Sequence, residues 1–145
     1  MRFELAVAVM LSLMPVAASG ETLRPMNVRG CVDATKSNTA VTVSGRLTIQ
    51  LFAGPPNYES VANGDAEERV FILELPRRIC FPDGEFADGS EQFDRVHVST
   101  TDAGLLPVLR AGVERNVVVT GEAMGSHTGH HRAPMVLFAK SVTVR

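Results

Sequence analysis

The stretch that decides the fold is RVHVSTTDAGLLPVLRAGVERNVVVTGEA, residues 95–123. It begins with an alternating apolar and polar run, Arg95 to Ser99, and ends with a second β-rich run, Asn116 to Ala123. Both runs predict strands. Between them, residues 102–112 place their leucines at helical spacing. Pro107 suits a first helical turn, and Gly112 stands where a C-terminal cap belongs. The stretch therefore predicts strand, short helix, strand, with the helix beginning near Asp102 or Leu106.

Three further strands are predicted outside this stretch. Residues 41–53 alternate apolar and polar side chains and form a strand longer than a small sheet needs. Gly45 lies inside this strand, where it permits a bend or bulge. A nearly continuous apolar run, Val70 to Leu75, is expected to end at Pro76. The last strand is expected over residues 134–144.

The order strand, strand, strand, helix, strand, strand is typical of one architecture. We predict an all-β chain with one short helix, folded as a five-stranded, OB-like Greek-key barrel that carries an N-terminal extension. The helix between strands three and four is expected to close the open end of the barrel. A β-sandwich needs about seven strands, and two more are not found in the sequence.

The N-terminus predicts export. Residues 1–20 have the features of a signal peptide: Arg2, the apolar run Leu5 to Ala17, and small residues that permit cleavage after Ala18 or Gly20. An uncleaved interfacial anchor is the alternative. The apolar run is too short to span a bilayer, so we expect no transmembrane span after cleavage. The expected location is the periplasm or the extracellular medium.

Two cysteines, Cys31 and Cys80, occur in the exported part of the chain. Oxidising conditions favour a disulfide between them, and two buried free thiols are the alternative. The bond would tether an extension, residues 21–40, to a single barrel domain, residues 41–145. The chain has 145 residues, 45% of them hydrophobic, and a net charge of −2, which suits one domain with a core.

Two loops carry the most unusual chemistry of the chain. In barrels of this type, ligands lie on the face of strands two and three, between the loops that join strands one to two and four to five. Here these are loops 54–68 and 125–134, and we expect Arg132 to pair with Glu59 or Asp65 across them. The predicted ligand-binding residues lie on these loops and on strand three: Asn57, Tyr58, Glu59, Asp65, His97, His130, His131 and Arg132.

The function predicted from these features is non-catalytic binding of an unknown ligand at the rim formed by the two loops. The expected partner is a small molecule, a glycan or an envelope protein. Nucleic acid is excluded on two grounds: the exported chain is slightly acidic, and it lacks the stacking aromatics that single strands need. No cofactor is expected in this interpretation.

Two alternatives use the same loops. A periplasmic metal-binding protein could hold zinc or copper with His127, His130 and His131, although adjacent side chains in an extended segment point to opposite sides. A small hydrolase could use Ser126 and His127, but the sequence has no Gly-x-Ser-x-Gly turn. No catalytic residue is therefore assigned.

Three motifs together resemble a known family. They are GPPNYES at residues 54–60 with Gly64-Asp65, a Pro-x-x-x-Cys ending of strand two at residues 76–80, and TGHH-x-x-P at residues 128–134. This set resembles the uncharacterised bacterial family named domain of unknown function 4431, over roughly residues 45–144. The resemblance implies the fold and the exported location, and it assigns no activity.

Overall fold

The structure is a computed structural model that describes residues 30–33, 40–83 and 88–145. Its strands are β1 (Ala40–Ala53), β2 (Glu67–Cys80), β3 (Gln92–Ser99), β4 (Asn116–Gly125) and β5 (Met135–Val144). One helix, α1, covers Leu105–Ala111, and a short 3-10 helix covers Val61–Asn63. The predicted signal peptide lies outside the described residues, as does most of the predicted extension. The described part of the chain contains no helix with the length and apolar character needed to cross a membrane.

The five strands form a closed barrel in the order β1-β2-β3-β5-β4. Neighbouring strands are antiparallel except β3 and β5, which run parallel. Helix α1 follows β3 and precedes β4, and Leu109 on it is fully buried in the barrel core. These features confirm the predicted OB-like barrel with one short helix.

The first strand bends so that it can pair with two neighbours. Its first half, Ala40 to Arg46, pairs with β4, and its second half, Arg46 to Ala53, pairs with β2. Gly45 lies at the change of partner, where a Cβ atom would stand 2.1 Å from the carbonyl oxygen of Glu74. Glycine is required here because the backbone of β2 approaches too closely for any side chain.

Of two local expectations, the end of strand two was wrong and the helix cap is confirmed. Strand β2 continues through Pro76 to Cys80, because the pairing register with β3 shifts between Glu74 and Ile79. Where the register shifts, backbone groups are left unpaired, so the N–H that Pro76 lacks costs no hydrogen bond between the strands. Gly112 is the C-terminal cap of α1, as predicted, and it adopts right-handed φ and ψ of −83° and −7°. Its lack of a side chain also leaves room for Val117, which would lie 2.9 Å from a Cβ atom.

The predicted disulfide is present. Cys31 is bonded to Cys80 with a Cα–Cα distance of 4.2 Å and a sequence separation of 49 residues. The neighbouring Val32 donates its N–H to the carbonyl oxygen of Cys80 (2.6 Å) and is buried in the barrel core. The bond therefore fixes a short piece of the extension against the end of β2.

A second, smaller apolar cluster lies on the outer face of β1 and β2. Val70 and Ile72 on β2 are buried there together with Ala133, and Phe52 on β1 packs against them. Ala133 belongs to the loop between β4 and β5. This loop thus covers the part of the strand face around Val70 and Ile72, where the sequence placed a ligand, and leaves the rim of the two loops open to solvent.

Candidate functional site

The loop between β1 and β2 is organised by a buried carboxylate. Asp65 is 5% exposed. Its oxygens accept hydrogen bonds from the N–H groups of Asn57 (2.9 Å), Glu59 (2.8 Å) and Ser60 (2.8 Å), and from the side-chain amide of Asn57 (3.2 Å). These bonds, led by that of Ser60, lower the pKa of Asp65. Asp65 therefore holds the loop in shape, while the side chains of Asn57 and Glu59 lie exposed around it.

Tyr58 lies at the centre of this loop and reaches the opposite loop. Its backbone φ is 63°, in the left-handed region, and the preceding Pro55-Pro56 peptide is cis. The Tyr58 hydroxyl lies 2.7 Å from Nε2 of His130, and the two rings meet edge to face at 5.1 Å. Gly129 lies against the ring, where a Cβ atom would be 3.4 Å from it. The lone tyrosine and the histidine loop therefore stand side by side.

His130 links Tyr58 to the carboxylate of Glu68. Its Nδ1 lies 2.9 Å from Oε1 of Glu68, and the other carboxylate oxygen of Glu68 accepts a bond from Arg132 at 2.6 Å. The Arg132 hydrogen bond is the main reason that the pKa of Glu68 is lowered. Because the charged Glu68 carboxylate can only accept, His130 donates from Nδ1, and its Nε2 shares a hydrogen bond with the Tyr58 hydroxyl. Arg132 thus pairs with Glu68 and not with Glu59 or Asp65.

The side chain of Arg132 is 10% exposed, so its charge is largely removed from water. Its guanidinium donates to the carbonyl oxygen of Ala53 at 2.5 Å and lies over the rings of Phe52 (5.2 Å) and Tyr58 (5.4 Å). Among the described residues, its buried Nε has no hydrogen-bond partner. Arg132 is therefore the centre of the contact between the two loops, and one of its donors remains unused.

The other three histidines lie on the far side of Arg132. The N–H of Arg132 points to Nδ1 of His97 at 3.4 Å, and the N–H of His127 donates to Nδ1 of His131 at 3.1 Å. The centre of the His131 ring lies 4.7 Å from the centre of the His127 ring and 6.5 Å from that of the His97 ring. Burial lowers the pKa of His97 to about 4, and burial followed by the nearby His127 lowers that of His131. Nδ1 of His97 and Nδ1 of His131 can accept these hydrogen bonds only while their rings are neutral.

Acidification is expected to destabilise the protein through His97. Its pKa is about 4 in the folded chain against an ordinary 6.5, which corresponds to about 2 kcal/mol once the partial exposure of the ring to solvent is allowed for. This contribution is complete above pH 6.5, falls as the pH drops towards 4, and is absent below it. Urea unfolding of the wild type and of His97→Gln between pH 4 and 6.5 measures this contribution to stability. Their difference in unfolding free energy should shrink with acidity, and a constant difference would contradict the assignment to His97.

The three loop histidines do not converge as a shared metal ion requires. His130 points to Tyr58 and Glu68, whereas His131 faces His127 and His97. No group of three or more potential ligands within residues 30–33, 40–83 and 88–145 is arranged to hold a metal ion. The geometry thus gives no support to the zinc or copper alternative. Calorimetric titration of the protein with either metal would test it directly.

Tyr58 offers a direct probe of the contact between the loops, because it is the single tyrosine and the chain has no tryptophan. An excited phenol readily transfers its proton to a neighbouring base. We therefore expect His130→Ala to raise the tyrosine emission and to lower the unfolding free energy by about 1 kcal/mol. His127→Ala, in the same loop, is the control and should leave the emission unchanged. Equal emission from both variants would contradict the Tyr58–His130 hydrogen bond.

Comparison with known proteins bears on the family and on the fold. The family model described as Domain of unknown function (DUF4431) matches residues 95–143. The resemblance seen in the sequence is confirmed over this part of the chain, which contains the TGHH-x-x-P motif. No curated protein matches the chain. Solved structures that match include the Plasmodium falciparum SSB complex with ssDNA, at 16% identity and a TM-score of 0.37, covering 75% of this chain and 94% of that one.

This last match corrects one expectation from the sequence. The predicted partners were a small molecule, a glycan or an envelope protein, to the exclusion of nucleic acid. The exclusion of nucleic acid is corrected, since a protein that matches this chain is described as a complex with ssDNA. The likeness concerns the fold, and it assigns no partner to this chain.

Proposed function

We propose that this protein is an exported, non-catalytic binding module whose ligand contacts the rim formed by loops 54–68 and 125–134. The observation that carries the proposal is the backbone of Tyr58, whose φ of 63° is left-handed. For a residue with a side chain this conformation costs about 1–2 kcal/mol. Such strain persists only where the surroundings impose it, and it clusters at ligand contacts.

The largely buried Arg132 and partly buried Glu68 next to Tyr58 support the same conclusion. Removing Arg132 and Glu68 from water is costly, and a well-packed apolar pair often stabilises a fold equally well. Here the pair also leaves Nε of Arg132 without a partner among the described residues. The rim is thus built from features that stability alone does not demand.

The exposed groups of the rim indicate a polar ligand. Asn57, Glu59, His127 and His130 are exposed, and together they offer amide, carboxylate and imidazole groups. These groups can donate and accept hydrogen bonds, and their mixed charges favour neither an acidic nor a basic ligand. We therefore expect recognition through hydrogen bonds, with the Tyr58 ring as the apolar contact.

A small hydrolase is the second candidate, and one observation favours it. Tyr58, His130 and Glu68 follow one another as hydroxyl, imidazole and carboxylate, the order found in nucleophilic catalysis. The two candidates differ in their response to Tyr58→Phe. A hydrolase would lose its activity with the hydroxyl, whereas a binding module would keep its ligand with a modest loss of affinity.

The proposal is tested in two steps on the protein recovered from its producing cells. N-terminal sequencing of the exported fraction should find a chain that begins after Ala18 or Gly20. A chain that retains Met1 and stays in the cytoplasm would contradict export.

The second step compares ligand capture by the wild type with capture by Glu59→Ala, a change at the exposed rim. The exported fraction and a labelled single-stranded oligonucleotide serve as the two sources of ligand. Glu122→Ala, an exposed carboxylate on β4, is the matched control. Loss of about tenfold in affinity in the rim variant alone supports the proposal. Equal capture by all three proteins would overturn it.

A further inference from the structure

Arg95 on β3 carries a pair of hydrogen-bond donors of which only one is used. Nε and Nη2 of an arginine lie on one side of the guanidinium and present two parallel N–H groups. In Arg95, Nη2 donates to the side-chain oxygen of Gln50 on β1. Nε is buried and has no hydrogen-bond partner among the described residues. Gln50 brings a single oxygen, which reaches Nη2 and leaves Nε unpaired.

The charge of Arg95 also lacks a close counter-charge. None of the ion pairs within residues 30–33, 40–83 and 88–145 includes this half-buried side chain. In the same part of the chain, Arg132 is the other arginine with a buried, unpartnered Nε, but its Nη2 donates to the charged carboxylate of Glu68. Partial burial of a charge beside a neutral acceptor is unfavourable. Arg95 therefore has unused capacity for an anion.

The side chain of Gln50 is held by contacts that a ligand can replace. Its amide nitrogen donates two long hydrogen bonds, 3.3 Å to the hydroxyl of Thr48 and 3.4 Å to a carboxylate oxygen of Glu74. Gln50 is half-buried and Glu74 is exposed, so both side chains can turn to water, where their polar groups find new partners. The oxygen of Gln50 thus marks the place that an acceptor oxygen of a ligand can take.

We propose that Arg95 binds the carboxylate of a small-molecule ligand, which displaces Gln50 and accepts hydrogen bonds from both Nε and Nη2. The two oxygens of a carboxylate match two parallel N–H groups, and such charge-assisted bonds are about twice as strong as neutral ones. Glu74 lies next to the site, 3.4 Å from the Gln50 amide. Its negative charge repels a doubly charged phosphate more than a singly charged carboxylate. The site therefore favours a monoanion.

This site lies outside the two loops that form the rim, because Gln50 belongs to β1 and Arg95 to β3. The inference thus goes beyond the proposed function, and either can fail without the other. Loss of carboxylate binding in variants of Arg95 and loss of ligand capture in Glu59→Ala are separate results.

Titration with glucuronate tests the proposal, with the NMR signal of the Arg95 Nε–H group as the readout. We expect saturable binding with a Kd of about 1 mM. Glucuronamide, the neutral amide of the same sugar, should bind at least about tenfold more weakly. N-acetylalanine presents the carboxylate on a peptide unit, and the tighter of the two acids identifies the source of the group. Binding of neither acid, equal binding of glucuronamide, or tighter binding of inorganic phosphate would overturn the proposal.

Two substitutions separate binding by Arg95 from a purely structural contact with Gln50. Gln50→Ala removes the internal acceptor, so it should tighten glucuronate binding several-fold. Arg95→Lys keeps the charge but loses the paired donors, and it should weaken binding about tenfold. The matched control is Arg69→Lys on β2, an exposed arginine paired with Glu67 at 3.0 Å, which should bind like the wild type. Unchanged binding in Arg95→Lys, weaker binding in Arg69→Lys, or no gain in Gln50→Ala would contradict the site.

Discussion

Replacing Cys31 and Cys80 together by serine is expected to lower the unfolding free energy by about 4 kcal/mol. The bond closes a loop of 49 residues, and the chain-entropy model assigns about this value to a loop of that length. Domains of this size are stable by only about 5–15 kcal/mol, so the loss is a large share of the total. Val32, which is buried in the core next to the bond, would lose its tether as well.

Urea unfolding of the oxidised wild type and of the double serine variant measures this loss. A reducing agent provides the control, because it should destabilise the wild type by a similar amount and leave the variant unchanged. A loss below about 1 kcal/mol, the size of an ordinary hydrogen bond, would show that the extension is held by packing alone.

The architecture could be predicted because it depends on short-range patterns. Alternation in residues 41–53 and helical spacing in residues 105–109 are local properties, and they correctly gave the element order. Pro76 was misjudged because its effect depends on the pairing partner: β3 shifts its register at this point, so no hydrogen bond is lost. Sequence alone contains no record of that register.

The site was predictable only in outline. The composition of loops 54–68 and 125–134 drew attention to Tyr58 and His130, and the structure places them in contact. Glu68 was missed because it stands at the start of β2 among other charged residues, with no local signal. Only the alternation along β2 could have indicated it, since Glu68 shares a face with the buried Val70 and Ile72. That alternation gives no hint that Arg132 lies opposite.

The chemistry of the rim depends most strongly on Arg132, and its replacement should reveal this. Arg132→Met keeps an apolar stem but removes the charge, the bonds to Glu68 and Ala53, and the contacts with Phe52 and Tyr58. Breaking a fully buried ion pair from one side typically costs about 3–5 kcal/mol, and because the Glu68 side chain is 23% exposed we expect a loss of about 3 kcal/mol. The pKa of Glu68 should rise as its main hydrogen bond disappears.

The matched control is Lys140→Met, which removes an exposed ion pair with Glu122, 3.7 Å apart. Such surface pairs contribute at most about 1 kcal/mol, so the two substitutions should differ several-fold in unfolding free energy. The double variant Arg132→Met, Glu68→Gln should be less unstable than the sum of its single changes, because both remove the same interaction. If Arg132→Met costs no more than Lys140→Met, the two loops are held together by the Tyr58–His130 contact, and Arg132 is available to a ligand. If the loss is as large as expected, the guanidinium is part of the architecture, and the ligand must be recognised by the exposed groups above it.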